Sequence, residues 1–139
     1  MIEFAVIDKE VPGLDPELFV SALSELIKKE GAEVGSITIV TCSDEHLLSM
    51  NKKYLDHDYY TDIITFDYTS GRLISGDLFI SVDRVADNAT MFTVDFMREF
   101  KRVCAHGILH LCGYKDKTED DAAEMRLKEE EALLLFCST

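Results

Sequence analysis

Apolar residues along this chain change period several times, and the order of those changes constrains the fold more than any composition figure. "MIEFAVI" (1–7), "SITIVTC" (36–42), "DIITFDY" (62–68) and "LFISV" (78–82) are short runs rich in β-branched and aromatic residues, the pattern of strands. Other segments carry apolar residues at helical spacing. Leu18, Phe19, Ala22, Leu23, Leu26 and Ile27 form one such set, entered through Asp15 and Pro16 as cap and first helical residue and stopped by Gly31. Ser43 caps a second helix that carries Leu47, Leu48 and Tyr54 and ends near Leu55. "TSGRLISG" (69–76) supplies turn residues between the third and fourth strands, so these are expected to be antiparallel neighbours. A short helix is expected over 83–91. A long one follows over 94–112, with Phe96, Phe100, Val103, Ile108 and Leu111 on its apolar face and Gly113 as its stop. Thr118 and Asp121 form a capping-box pattern that opens a last helix through Met125, Leu127 and Leu134, with Glu124 and Lys128 as a surface pair. The order β-α-β-α-β-β-α-α-α predicts an α+β domain, α/β-like in its first half: a small mixed sheet of about four strands covered by helices.

The 139 residues contain no internal repeat, low-complexity tract or linker, so residues 1–139 read as a single domain. With 47% hydrophobic residues the chain has the material for a core. Its first residues lack a basic region and a long apolar stretch, and no apolar run approaches the roughly 18 residues of a membrane span. A cytoplasmic protein with no membrane partner is expected. Cys42, Cys104, Cys112 and Cys137 show no C-x-x-C or zinc-finger spacing, and Cys104 and Cys112 lie about 12 Å apart along one helix, too far for a disulfide. All four read as buried, reduced thiols. The net charge of −13 argues against a polyanionic partner. That argument is weakened by its distribution: acidic residues concentrate at 119–131, whereas 51–53 ("NKK") and 98–102 ("REFKR") are locally basic.

"HGILHLCGYKD" (106–116) carries the chemistry. His106 and His110 are four apart on the long helix, so both imidazoles leave one face, about 6 Å apart along the axis, as two ligands of a tetrahedral ion require. Gly113 can take the left-handed conformation that reverses the chain and carries Asp116 back towards the metal. The spacing His-x3-His-x2-Gly-x2-ligand is that of the metzincins, with glycine at 107 in place of the catalytic glutamate and aspartate at 116 in place of histidine. An i, i+4 histidine pair alone is more often a structural feature than a site. Joined to Gly113 and Asp116 at one helix end, it makes metal binding as good a reading as a structural one. A carboxylate at the third position lowers the charge at the ion, which makes water bound there less acidic.

With further segments the sequence closely resembles the YbeY family of bacterial rRNA maturation factors and endoribonucleases. "HGILHLCGY" resembles the family signature, "NKKYLDHDYYTDIITFDY" (51–68) its N-x-x-Y-R…T-D-V-L-S-F segment, "ISGDLFISVDRVADNA" (74–89) its G-D-I-x-I-S segment, and "EMRLKEEEAL" (124–133) its closing M-x-x-x-E helix. The resemblance covers about two thirds of the chain, in order. It implies a metzincin-like zinc site at the end of the long helix, one divalent ion per chain. It also implies single-strand endoribonuclease activity in small-subunit (16S) rRNA maturation and ribosome quality control. The implied partners are the small ribosomal subunit, one of its proteins and a ribosome-assembly GTPase. His106 and His110 carry over as metal ligands, and the third family histidine falls on Asp116. The family arginine after the tyrosine falls on Leu55, with Lys52, Lys53 and Arg72 as candidate replacements.

With no glutamate at 107, the expected chemistry is attack on a phosphodiester by water on the metal. Asp116 is a base only if it gives up its ligand role. Thr61 and Asp62, and Gly76 and Asp77, read as turn residues, each pair with the cleft-lining alternative that the family resemblance implies. His46 reads as a surface residue of a first helical turn, His57 as a spare loop candidate, and the acidic face of the last helix as solvated. Two other functions stand beside the hydrolase: a non-catalytic ribosome-assembly binding factor with a structural metal, and a metalloprotease, which Gly107 disfavours.

Overall fold

The computed structural model describes residues 1–137. Its elements follow the expected order: β1 (Ile2–Val6), α1 (Pro16–Lys29), β2 (Glu33–Cys42), α2 (Asp44–Leu55), β3 (Ile63–Asp67), β4 (Leu73–Ser81), α3 (Val82–Phe92), α4 (Phe96–Leu111) and α5 (Glu119–Leu134). The four strands form one mixed sheet in the order β1-β2-β4-β3. β1 and β4 run parallel to β2, and β3 closes the edge antiparallel to β4.

The caps lie where short polar residues precede apolar periodicity. Asp15 accepts from Leu18 N, Ser43 from His46 N and Thr118 from Asp121 N, each meeting one of the orphan donors at a helix start. The start of α2 is held further by the Asp83 carboxylate, which accepts from Asp44 N (2.9 Å) and pairs with Lys9 (2.9 Å).

Strand alternation separates two cores. On one face Ile37, Ile39, Leu78 and Ile80 meet α1, α3, α4 and α5; on the other Cys42, Ile64, Phe66 and Phe79 meet Leu47 and Met50 of α2. In α4, Phe100, Val103, Cys104, Gly107, Ile108 and Leu111 are all buried, a stripe at i, i+3, i+4, i+7 that turns this helix into the centre of the molecule. Each fully buried Leu, Ile or Phe in that stripe contributes about 1.5–3 kcal/mol of transfer free energy, so the position of α4 is set by packing rather than by helix propensity.

The structure corrects several expectations. β4 begins at Leu73, inside the segment read as a turn, and β2 begins at Glu33 to pair with it. Gly76 and Asp77 are therefore strand residues. Gly76 is required by close approach, since a Cβ there would lie 2.5 Å from the Phe66 carbonyl oxygen and 2.9 Å from Leu111 Cδ2. In α5 the buried set is Met125, Glu129, Ala132 and Leu133, while Leu127 (67% exposed) and Leu134 (70%) face outwards. Tyr54 is exposed as well. Lys128 meets Glu30, the C-cap of α1 (3.6 Å), rather than Glu124. Cys42 and Cys104 are buried, Cys112 is half-buried and Cys137 is exposed; all four are free. Burial pushes the Cys42 thiol up to about 12 and that of Cys112 up to about 11. No helix among the described residues is long and apolar enough to cross a membrane.

Candidate metal centre

The last two turns of α4 present His106 and His110 on one side, and the turn that follows brings in the rest. Gly113 has φ of +106°, its N–H donates to the His110 carbonyl (3.0 Å) and the Tyr114 N–H donates to the Leu109 carbonyl (3.0 Å). This is a Schellman ending, which glycine allows without steric cost. The reversal points the Tyr114 carbonyl back at His110, whose Nδ1–H donates to it at 2.9 Å. The Tyr114 hydroxyl donates to Glu30, the C-cap of α1 (2.6 Å), so the turn is pinned at both ends. Asp116 is thereby delivered with Oδ2 at 3.5 Å from His106 Nε2 and 3.7 Å from His110 Nε2.

Both histidine tautomers follow from their partners. A carbonyl oxygen only accepts, so His110 carries its proton on Nδ1. His106 Nδ1–H donates to Glu129 Oε2 at 2.6 Å. The two Nε2 lone pairs then face each other at 3.0 Å with the Asp116 carboxylate beside them. Three acceptors in that arrangement repel one another, and a cation between them removes the repulsion. For bond lengths of about 2.0–2.2 Å, ligand atoms at tetrahedral angles lie about 3.3–3.6 Å apart. The observed 3.0, 3.5 and 3.7 Å bracket that distance, so the residues fit a divalent ion.

A second layer, which sequence reading missed, holds the first. Glu129 is buried within the acidic run taken as solvated; its Oε1 accepts from Arg102 Nη1 (3.1 Å) while Oε2 holds His106. Arg102 also donates twice to Glu99, at 2.8 and 2.7 Å, and lies 3.8 Å from Asp62. Burial alone would raise the Glu129 carboxyl, but the hydrogen bond from His106 and the charge of Arg102 outweigh it and hold it below the ordinary range. Asp62 is the reverse case: burial raises its carboxyl despite the opposing Arg102. The available signal was the phase of α5, since Glu129 lies four residues after Met125 and three before Ala132 on the buried side.

The triad opens onto a cleft lined by Asn51, His57, Tyr59, Thr61, Asp62 and Leu55, among others. Thr61 and Asp62 combine both readings, lining the cleft while the Asp62 carbonyl accepts from Ser81 N. His57 lies in the same cleft, stacked on Tyr59 with ring centroids 5.1 Å apart. His46 belongs to the start of α2, away from the triad. The three candidate substitutes for the arginine at Leu55 do not line this cleft. Lys52 pairs with Asp58 (3.3 Å), Lys53 lies over the Tyr54 ring, and Arg72 donates to the Gly31 carbonyl near the start of β2. Gly107 faces the sheet rather than the triad. A Cβ there would lie 2.8 Å from Ile63 Cδ1 and 2.9 Å from Leu78 Cδ1, in the packed seam between α4 and the sheet, where a glutamate has no room.

Residues 8–136 match the family model described as Endoribonuclease YbeY. A protein of that name from Flavobacterium johnsoniae is 53% identical over 120 residues, 86% of either chain. Another of that name from Phocaeicola vulgatus is 44% identical over 136 residues, 98% of this chain and 99% of the other. Among solved structures, the solution structure of a Thermotoga maritima protein matches with a TM-score of 0.69 at 26% identity, covering 98% of this chain and 89% of that one. With its fold, its triad and these matches over nearly its whole length, the chain belongs to the endoribonuclease YbeY family.

Proposed function

We propose that this chain is a metal-dependent single-strand endoribonuclease acting in small-subunit rRNA maturation in the cytoplasm, with zinc held by His106, His110 and Asp116. The observation that carries the reading is the convergence of two imidazole Nε2 atoms and one carboxylate oxygen, each histidine oriented by an acceptor on its Nδ1. The ion supplies Lewis-acid polarisation of the phosphodiester and activation of water. The chain's own part is orientation. Glu129 and the Tyr114 carbonyl keep both Nδ1 atoms protonated, and Arg102 keeps Glu129 ionised. Asp116 would serve as a base only if it were not a ligand; Asp62, partly buried, and Asp67, exposed, are further carboxyls that line the same cleft. Small-subunit protein and assembly-GTPase partners belong to the same proposal and are open to affinity capture.

The test is elemental analysis of the purified protein together with cleavage of a fluorescent single-stranded RNA. Near-stoichiometric zinc and chelator-sensitive cleavage, both lost in His110→Ala, are expected. Cleavage that survives His110→Ala overturns the mechanism. Zinc without cleavage, with small-subunit precursors still bound, favours instead a non-catalytic assembly factor. A protease reading has no support in the site, because position 107 is packed against Ile63 and Leu78.

A further inference from the structure

His106 and Asp116 line two clefts rather than one. The first holds Tyr59 and His57; the second is a cavity of about 460 Å³ between α3, α4 and α5. The ion site therefore stands where the two meet. An RNA cut internally continues on both sides of the scissile phosphate, so a chain that reaches the ion from the Tyr59 side leaves into the second cavity.

That cavity has features the core does not require. Phe92 ends α3 and is 53% exposed at the cavity edge, where Thr93 in the left-handed region (φ 57°) turns the chain towards α4. Val94, Met125 and Leu133 continue the apolar wall. Three arginines share the lining with four carboxylates. Arg102 is consumed by Glu99 and Glu129, and Arg98 meets Glu130 at 3.2 Å. Arg126 is exposed and makes no ion pair among the described residues. The remaining carboxylate is Asp116, and a divalent ion there makes the local balance positive despite the acidic chain. A free guanidinium and an exposed ring beside an apolar wall suit a backbone phosphate and a stacked base.

We infer that the cavity between α3, α4 and α5 is a second single-stranded RNA subsite, which takes the nucleotides on the far side of the scissile phosphate from Tyr59. The base rests on Phe92 and the phosphate on Arg126, with Arg98 alongside. The inference rests on the endoribonuclease reading.

The test is binding of a 5′-fluorescein 16-nucleotide single-stranded RNA to the full chain, metal-free and with zinc restored, followed by anisotropy over a salt series. Arg126→Gln, Phe92→Ala and, as a control remote from both clefts, Lys29→Gln are compared with wild type. Losing one phosphate contact in Arg126→Gln lowers the salt slope by about 0.7. Phe92→Ala weakens binding by about fivefold or more. Lys29→Gln matches wild type, and with zinc restored Arg126→Gln raises KM while kcat holds. Wild-type affinity and slope in both cavity variants overturn the subsite and leave the nuclease reading standing; a peptide-binding cavity gives that same result. Failure of the wild-type chain to bind the RNA, both metal-free and with zinc restored, overturns both.

Discussion

Glu129→Gln is the substitution that tests most directly how this site is held. The carboxylate serves two donors with two oxygens: Oε2 accepts from His106 Nδ1 at 2.6 Å and Oε1 from Arg102 Nη1 at 3.1 Å. A glutamine keeps the volume but has one acceptor, so its amide NH₂ must face either His106 or Arg102, a donor against a donor. His106 then loses the partner that fixes its tautomer or shares it badly. Removal of such an outer partner lowers metal affinity about 10–100-fold, which is about 1.4–2.7 kcal/mol. The metal-free protein is affected as well. Glu129 is 7% exposed, and a hydrogen bond to a buried charge is worth about 1.5–3 kcal/mol. Arg102 keeps both bonds to Glu99, so the lower end, about 1.5–2 kcal/mol, is expected. Zinc affinity is read by competition with a chromophoric chelator, and stability by urea denaturation with a chelator present. Glu130→Gln, one residue away and 59% exposed, is the matched control and changes either quantity by less than about 0.5 kcal/mol. Zinc affinity within twofold of wild type in Glu129→Gln would refute the claim that this carboxylate orients His106.

Two further outcomes follow from other parts of the fold. Gly76→Ala places a methyl group against the Phe66 carbonyl, a backbone atom that cannot rotate away, and should cost about 1–3 kcal/mol in urea denaturation, with loss of the β3–β4 edge visible as faster amide exchange. The Asp83 carboxyl is held below its ordinary value, first by the hydrogen bond from Asp44 N and then by Lys9. Its stabilisation of α2 is therefore full above about pH 4 and fades as the pH falls through the lowered folded value. Asp83→Asn should cost about 0.5–1 kcal/mol at pH 7, modest because the group is partly exposed, and the gap to wild type should close in denaturation curves below pH 4.

What the sequence by itself determined was local. Element order, the caps at Asp15, Ser43 and Thr118, the shared face of His106 and His110, and the reversal at Gly113 all depend on residues within a turn or two of one another, and their periods and short polar side chains are legible in one dimension. Tertiary structure decided which of those residues meet. α5 carries few apolar residues amid many charges; of the Met125, Leu127 and Leu134 that mark it in the sequence, docking on α4 buries only Met125, together with Glu129, Ala132 and Leu133. Glu129 reaches His106 from 23 positions away, and within the run "EEE" only its phase with Met125 and Ala132 separates the buried carboxylate from its solvated neighbours. Gly76 and Gly107 read as a turn and as a missing protease base, but each is small because another element passes within contact distance. The site's ligands were visible because a helix and its stop place them, whereas their support was not, because packing between α4, α5 and β3 places it.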